Sequence, residues 1–201
     1  YYRKANGGKR ERKRVGLVNH RCAVMGQHPL CFPWGFDEED TQCRSMKLEL
    51  AQRIMELRQC GVTEFQVACD PGVGLYAAEI INTLRENDQA LRLICALPHE
   101  GQATKWTPQL RDRYFAMLAS CTDIICIAPH EQPDAQFSAY QRIVEQSDMV
   151  LAVHDLSASA DRAEDRALRY ALEALKKPAL VLHPQTLTVQ VFPQNSEKSH
   201  G

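Results

Sequence analysis

The stretch Asp70-Pro71-Gly72-Val73-Gly74 has the residue types of an anion-binding turn. It separates a short apolar segment from an amphipathic one, so its glycines would stand at the start of a helix. That start offers free N–H groups and the positive end of the helix dipole, which favour anions. Gly72 and Gly74 would let a ligand approach the backbone, and Asp70 would cap the helix or accept a ribose hydroxyl. Because the third glycine of the dinucleotide fingerprint and the P-loop lysine are missing, a tight turn into a packed helix is an equal alternative.

A second polar loop, ALPHEGQATKW, runs from Ala96 to Trp106. Polar groups beside a large aromatic side chain form a wall that suits a ring-bearing ligand, and Gln102 and Trp106 are the candidates. Glu100 would accept a bond from a sugar hydroxyl or act as a general base. The alternative is that Trp106 plugs the core and Glu100 is solvated. The length of the loop and its several polar residues favour contact with a ligand.

Five further residues are candidates for the same ligand site. Arg21 follows the first predicted strand, and its planar guanidinium would pair with a phosphate or carboxylate; a surface ion pair is an equal alternative. Tyr76 and Glu79 lie three residues apart on the first turns of the next helix and would face the same crevice. Asp155 and Ser157 follow the fifth predicted strand, where they would bind phosphate. The local pattern favours helix capping by this loop instead, with Asp161 or Ser159 as the N-cap of the next helix.

The sequence predicts no metal site and no cofactor. The chain has eight cysteines, and none of them forms a C-x-x-C pair. In the long loop that follows the first predicted strand, only His28 and Cys31 have the close spacing of zinc ligands. Cys69, Cys95 and Cys126 lie in or beside apolar segments, where a reduced thiol packs as a small hydrophobic group. In a chain of this length the pattern favours a reducing compartment, and we expect a cytoplasmic protein.

The composition is that of one soluble domain with a full core. The chain has 201 residues, 44% of them hydrophobic and 24% charged,. A net charge of -1 gives no overall attraction to nucleic acid or membrane,. No apolar run approaches the roughly 20 residues that span a bilayer, and no secretory signal follows the basic amino end. We therefore divide the chain into a basic, solubilising arm at residues 1–14, one domain at residues 15–184 and a polar tail at residues 185–201.

Short apolar segments alternate with longer amphipathic ones along this domain. The predicted strands are Val15–Asn19, Glu64–Ala68, Leu91–Ala96, Asp123–Ala128, Met149–Val153 and Ala179–Leu182. The predicted helices are Ser45–Cys60, Gly72–Asn87, Pro108–Ser120, Phe137–Ser147 and Ala163–Lys176. Segments rich in Val, Ile and Leu fit strands that are buried on both faces. The pattern predicts an α/β fold: a Rossmann-like, doubly wound, mostly parallel sheet of about six strands with helices on both faces. Ligands would bind beyond the carboxyl ends of its strands.

Several segments resemble one family of proteins. They are NHR after the first strand, FPWGFDEEDTQCRSMKLEL, GVGLYAAEIINTLREN, ICALPHEGQATKW, SDMVLAVHD and ALRYALEALKKP. Together they resemble the YpsA-like branch of the SLOG superfamily, whose relatives include SMF/DprA and LOG proteins, over roughly Val15 to Pro184. The resemblance implies a Rossmann-like domain that binds a nucleotide or nucleotide-derived ligand. It also implies a homodimer.

The departures from the family pattern fall at four strand ends. The family's Thr-Gly-x-Arg is Val18-Asn19-His20-Arg21 here, its glycine-rich second loop is Cys69 to Gly74, and its Gly-Gly-Thr is Ser157 to Ala160. The family's Arg-Asn pair is missing around Ser138–Tyr140. The Pro-Gly-Gly-x-Gly-Thr-x-x-Glu signature of LOG catalysis has no counterpart. Since an added Cβ blocks approach to the backbone, the ligand has changed or catalysis has lapsed.

These departures favour binding of a nucleotide-like small ligand without robust catalysis. The enzyme alternative is a nucleoside monophosphate N-glycosidic hydrolase, as in LOG members, with Glu100 or Glu79 assisting water. A third hypothesis is a DNA-associated or scaffolding protein related to DprA, whose distinguishing feature would be the basic arm. The charge balance makes nucleic acid the less favoured partner.

Overall fold

The structure is a computed structural model, and it describes residues 20–158 and 161–193. The predicted strand Val15–Asn19 and the basic arm at residues 1–14 lie outside the described residues, as do Ser159, Ala160 and residues 194–201. No helix within the described ranges is both long and apolar enough to cross a membrane.

The described residues form one sheet of seven strands, in the order β4-β3-β2-β1-β5-β6-β7. The strands are β1 (His20–Gly26), β2 (Val62–Ala68), β3 (Arg92–His99), β4 (Asp123–Ala128), β5 (Met149–Val153), β6 (Ala179–Leu182) and β7 (Val189–Phe192). The first six strands are parallel to their neighbours, and β7 is antiparallel to β6. The predicted α/β class with a mostly parallel sheet is confirmed. The predicted polar tail is wrong in its first part, because β7 lies within it.

Helices cover both faces of this sheet, as predicted. They are α1 (Thr41–Gln59), α2 (Val73–Arg85), α3 (Pro108–Ser120), α4 (Ala135–Gln146) and α5 (Ala163–Arg169), which continues as a π-helical turn over Tyr170–Ala174. Short 3-10 helices span Pro29–Cys31 and Gln102–Lys105. Successive strand side chains point to opposite faces. In β1, accordingly, Cys22 and Val24 pack with α1, α2 and α3, whereas Ala23 and Met25 pack with α4 and α5.

The strand β1 covers residues that the sequence places after the first strand. Residues Cys22 to Met25 are fully buried, because β1 pairs with β2 on one side and with β5 on the other. Arg21 therefore lies within a strand instead of following one. The loop that reaches the carboxyl edge of the sheet begins at Gln27.

The strand order reverses between β1 and β5, which makes this the topological switch point of the sheet,. Gln27 bridges it and is only 2% exposed. Its backbone N–H donates to the Val153 carbonyl at 3.0 Å, and its side-chain carbonyl accepts from the Asp155 N–H at 2.9 Å. The chain itself thus closes the gap between the two strands.

Candidate functional site

A cavity of about 260 Å³ lies at the carboxyl ends of β1, β2 and β3, and we call it the inner cavity. The loops after these strands supply one wall, and α4 and α5 supply the other. Its lining residues are His28, Asp70, Pro71, His99, Gln102, Trp106, Gln136, Tyr140 and Glu164. The inner cavity lies where ligands bind in open α/β sheets.

A larger cavity of about 1110 Å³, the outer cavity, shares His28, Pro71 and Trp106 with the inner one. Three common lining residues make the two cavities neighbours in one crevice. The remaining lining residues of the outer cavity are Phe36, Glu38, Glu39, Lys105, Thr107, Gln109, Leu110 and Arg113. The crevice therefore combines a small polar inner part with a wider outer part that carries apolar, aromatic and charged side chains.

Asp70 follows β2 and is the most perturbed carboxyl group of the inner cavity. It is 8% exposed, and the Tyr140 hydroxyl donates to its Oδ2 at 2.7 Å. Burial raises the pKa of Asp70 to about 7, while the bond from Tyr140 acts in the opposite direction and the charge of Glu164 adds to the rise. A carboxyl group with a pKa near neutrality changes charge under physiological conditions, as acid–base groups in functional sites do.

The two glycines of the opening motif do not leave an open cradle, which corrects one of the two sequence hypotheses. A Cβ on Gly72, whose φ is +88°, would lie 2.8 Å from Cγ of Pro29. A Cβ on Gly74 would lie 2.3 Å from the Ala68 carbonyl oxygen and 2.6 Å from Asp70 Oδ1. Both glycines are needed for close packing within the chain, as the tight-turn alternative requires.

Gln102 and Trp106 lie beside Asp70, at the edge of the sheet where the sequence predicts them. The Gln102 amide donates to the Cys69 carbonyl at 3.0 Å and so ties the loop after β3 to the loop after β2. Trp106 packs edge-on against Tyr114, with 5.1 Å between ring centroids, and lines both cavities. Whether these residues contact a ligand stays a prediction.

Arg21 and Glu100 lie apart from the crevice. Arg21 lies in β1 toward the opposite edge of the sheet, where its N–H donates to Asp148 Oδ2 at 2.8 Å and its guanidinium lies 3.4 Å from Glu64. The structure does not bring Arg21 to Asp70, because Arg21 pairs with Glu64 near the amino end of β2 and Asp70 follows the carboxyl end of that strand. Glu100 is exposed in the turn after β3 and lines neither cavity.

Tyr76 and Glu79 line neither cavity. Tyr76 is 3% exposed and packs in the core below Lys47, whose ammonium nitrogen lies 4.3 Å from the ring centroid. Glu79 accepts bonds of 2.7 and 2.8 Å from Arg113, in a groove between α2 and α3. The helical phase of α2 places both side chains toward neighbouring helices.

Asp155 and Ser157 form a local turn outside both cavities. The N–H and hydroxyl of Ser157 donate to Asp155 Oδ1 at 2.9 and 2.6 Å. These bonds from Ser157 lower the pKa of Asp155. The two residues therefore close a local turn and line neither cavity, and neither of them caps α5, whose N-cap is Arg162,.

Sequence analysis missed several residues that line the inner cavity, among them Tyr140, Glu164 and His28. Tyr140 has the spacing of an ordinary core residue on an amphipathic helix. Glu164 is an acid in the first turn of α5, where it reads as a partner of the helix dipole. Its Oε1 accepts the His28 N–H at 3.0 Å, and the side chain is 6% exposed. The position of His28 beside a buried acid was not detectable, because 136 residues separate the two in sequence.

A buried histidine–aspartate pair holds α5 in this position. His154 Nε2 lies 2.7 Å from Asp165 Oδ1, and both side chains are almost completely buried. Asp165 Oδ2 also accepts the Arg162 N–H at 3.0 Å, which caps the first turn of α5. The pair links the end of β5 to the start of α5 and so positions Glu164 beside the inner cavity.

The two cavities differ in charge. Among the described residues that line the inner cavity there is no Lys or Arg, whereas Asp70 and Glu164 are both present. The outer cavity carries Lys105 and Arg113. Arg113 is already engaged by Glu79 and, at 2.5 Å, by Glu38. Lys105 is largely exposed and lies 3.7 Å from Glu131, so it is the more available cation.

Metal and thiol chemistry add nothing to this picture within the described ranges. There, no group of three or more His, Cys, Asp or Glu side chains is arranged to hold a metal ion. All eight cysteines lie within the described part of the chain, and each is a free thiol. Burial raises the pKa of the Cys22 thiol well above its usual range, which makes it chemically inert,.

A family model described as the YspA SLOG family, named YpsA, matches residues 22–186 of the chain. A UPF0398 protein of Bacillus pumilus strain SAFR-032 is 29% identical over 137 residues, covering 66% of this chain and 72% of that protein. A UPF0398 protein of Bacillus cereus strain B4264 is 25% identical over 158 residues, covering 77% of this chain and 82% of that protein. The region that the family model matches, residues 22–186, contains all the residues that line the two cavities.

A solved structure is also similar: DNA processing protein A from Helicobacter pylori, studied for its single-stranded DNA binding mode. The TM-score is 0.52 at 14% sequence identity. The similarity covers 81% of this chain and 65% of that one, so the chain spans about two thirds of that structure. At this identity the likeness concerns the fold alone.

Proposed function

The chain belongs to the YpsA family of SLOG proteins, as the sequence resemblance predicted, and we propose that it binds a nucleotide-derived small molecule in the inner and outer cavities. One observation carries the proposal. A single crevice at the carboxyl ends of β1, β2 and β3 combines buried acceptor groups, an aromatic wall and an accessible cation. A nucleotide has the matching parts: hydroxyls and amines, a flat ring and an anionic phosphate.

Each part of such a ligand has a counterpart in the crevice. Asp70 and Glu164 would accept bonds from sugar hydroxyls or from amine groups of a base. Trp106 would stack on the ring, with Phe36 on another part of the outer wall,. Lys105 would pair with the charged group at the solvent-facing side of the outer cavity.

Calorimetric titration of the full chain with a panel of nucleosides and nucleotides tests this proposal. We expect at least one compound to bind with a Kd below about 1 mM. Trp106→Ala should weaken that binding by about tenfold or more, because it removes the ring contact. Phe115→Ala, a change of an exposed aromatic side chain outside both cavities, should leave it unchanged. A panel in which nothing binds, or equal losses in both variants, would contradict the proposal.

One observation supports the enzyme alternative, but the residues involved are not the Glu100 and Glu79 that the sequence suggested. Glycoside hydrolases cleave a glycosidic bond with two carboxyl groups, one of which has a raised pKa and serves as the acid, and an N-glycosidic bond could be cleaved by a similar pair. Asp70 and Glu164 are the two carboxyl groups of the inner cavity, and the pKa of Asp70 is raised, whereas Glu79 is bonded to Arg113 and Glu100 is exposed outside the crevice. Release of free base from nucleoside monophosphates tests this candidate. Wild-type protein should release base, and Glu164→Gln should reduce the rate at least about 100-fold. Absence of release at high protein concentration rules it out.

A further inference from the structure

The carboxylate of Asp70 lies against the first turn of α2. Its Oδ1 is 2.6 Å from the position of a Cβ on Gly74, the second residue of the helix. The Asp70 carbonyl accepts the Leu75 N–H at 3.2 Å, which wraps the residue around the start of the helix. Oδ1 is buried and has no hydrogen-bond partner among the described residues. A nearly buried carboxylate oxygen therefore points at the start of a 13-residue helix.

The start of a helix attracts negative charge, because its first N–H groups are free and the helix dipole is positive there. A phosphate-binding loop uses this position for its ligand. Here a side chain of the protein itself, the carboxylate of Asp70, lies beside the start of the helix. The bond from Tyr140 to the other oxygen, Oδ2, holds that carboxylate in place.

We infer that Asp70, when ionised, is a built-in anion at the start of α2, and that the inner cavity consequently binds neutral or cationic hydrogen-bond donors and rejects phosphate. The inference rests on the proposed function and specifies which part of the ligand enters. A nucleotide would place its hydroxyls or amines in the inner cavity and its phosphate in the outer cavity, near Lys105.

The other groups that face the inner cavity agree with this polarity. Glu164 adds a second carboxylate, and no Lys or Arg among the described lining residues offsets the two. Burial, together with the charge of Arg162, lowers the pKa of His28 and favours its neutral form, although Glu164 opposes the shift. His99 lines the same cavity. A phosphate in the inner cavity would thus approach two carboxyl groups without a guanidinium or ammonium partner.

Inorganic sulfate provides a test that needs no knowledge of the natural ligand. We expect Asp70→Ala to bind sulfate at least about tenfold more tightly than the wild-type protein in calorimetric titration at pH 8, where Asp70 is ionised, because the helix start loses its own anion,. Asp112→Ala removes an exposed carboxylate of α3 and controls for the change in net charge. Equal sulfate affinity in the wild type and Asp70→Ala, or an equal gain in Asp112→Ala, overturns the inference.

Asp70→Asn keeps the size of the side chain and covers the case in which Asp70→Ala fails to fold. We expect adenosine and AMP to bind the wild type within about tenfold of each other, and Asp70→Asn to weaken both by about tenfold. If AMP alone binds and Asp70→Asn strengthens it, phosphate enters the inner cavity; the inference then fails and the proposed function stands. If neither compound nor any other of the panel binds, the proposed function fails, and the sulfate titration still decides the role of Asp70.

Discussion

The Tyr140 hydroxyl donates a 2.7 Å hydrogen bond to Asp70 Oδ2 and joins α4 to the loop after β2, across 70 residues of sequence. Both side chains are buried. A buried hydroxyl and a buried carboxyl group each need a partner, because the alternative is a polar group without water. This single contact therefore positions the central carboxyl group of the inner cavity and connects two layers of the fold.

Asp70→Asn should stabilise the protein at high pH and have little effect at low pH. The folded pKa of Asp70 is about 7, above the roughly 3.9 of an unfolded chain, so folding favours the protonated form,. Below about pH 4 the carboxyl group is protonated in both the folded and the unfolded state, so its burial does not lower the free energy of unfolding. That free energy falls as the pH rises from about 4 to about 7, because the unfolded state ionises first. Three pKa units correspond to about 4 kcal/mol. Urea denaturation at pH 4.5 and pH 8 measures the difference. If the free energies of unfolding of the variant and the wild type differ by the same amount at both pH values, this prediction is contradicted.

Tyr140→Phe should lower the free energy of unfolding by about 2 kcal/mol, because it leaves a buried carboxyl group without its donor. It should also raise the pKa of Asp70 further, since the bond from Tyr140 lowers that pKa. Tyr170→Phe is a matched control: its hydroxyl bonds Glu145 at 2.9 Å near the surface. That change should cost less than about 0.5 kcal/mol. Equal losses of stability would show that the buried contact has no special role.

Gly74→Ala should destabilise the fold by about 3 kcal/mol or prevent folding, since the new Cβ would lie 2.3 Å from a backbone carbonyl oxygen,. Gly101→Ala is the control, because its Cβ would meet Thr104 Oγ1 at an ordinary 3.5 Å. That variant should remain within about 0.5 kcal/mol of the wild type. Thermal unfolding of both variants provides the comparison, and a stable Gly74→Ala protein would refute the close packing described here.

Gln27→Leu should cost about 1–3 kcal/mol, because the Asp155 N–H loses its acceptor at the switch point between β1 and β5,. The control is Gln141→Leu on α4, whose side chain bonds Glu145 at the surface. Hydrogen exchange should also show faster opening around Asp155 in the first variant and no change in the second. Unaltered exchange at Asp155 would contradict the bridging role of Gln27.

The amino-acid sequence by itself determined the class of fold and one part of the site. Apolar segments without polar alternation specify strands that are buried on both faces, and their regular spacing with amphipathic segments specifies a parallel sheet. The loops after neighbouring parallel strands meet at one edge, which is why Asp70, Gln102 and Trp106 were predicted together and lie together. Local pattern and strand direction suffice for such residues.

Only the tertiary structure decided which groups complete the site. Tyr140 and Glu164 come from helices, and their contacts with the strand-end loops depend on how α4 and α5 pack on the sheet. Arg21 lies within β1 because the residues around it pair with β2, and those that follow it pair with both β2 and β5. The sequence of the loop at residues 70–74 is compatible with an open anion-binding loop or with a packed turn. The close approach of Pro29 to Gly72 and of the Asp70 side chain to Gly74 makes it a packed turn. Such contacts are set by packing between distant segments, so no local pattern encodes them.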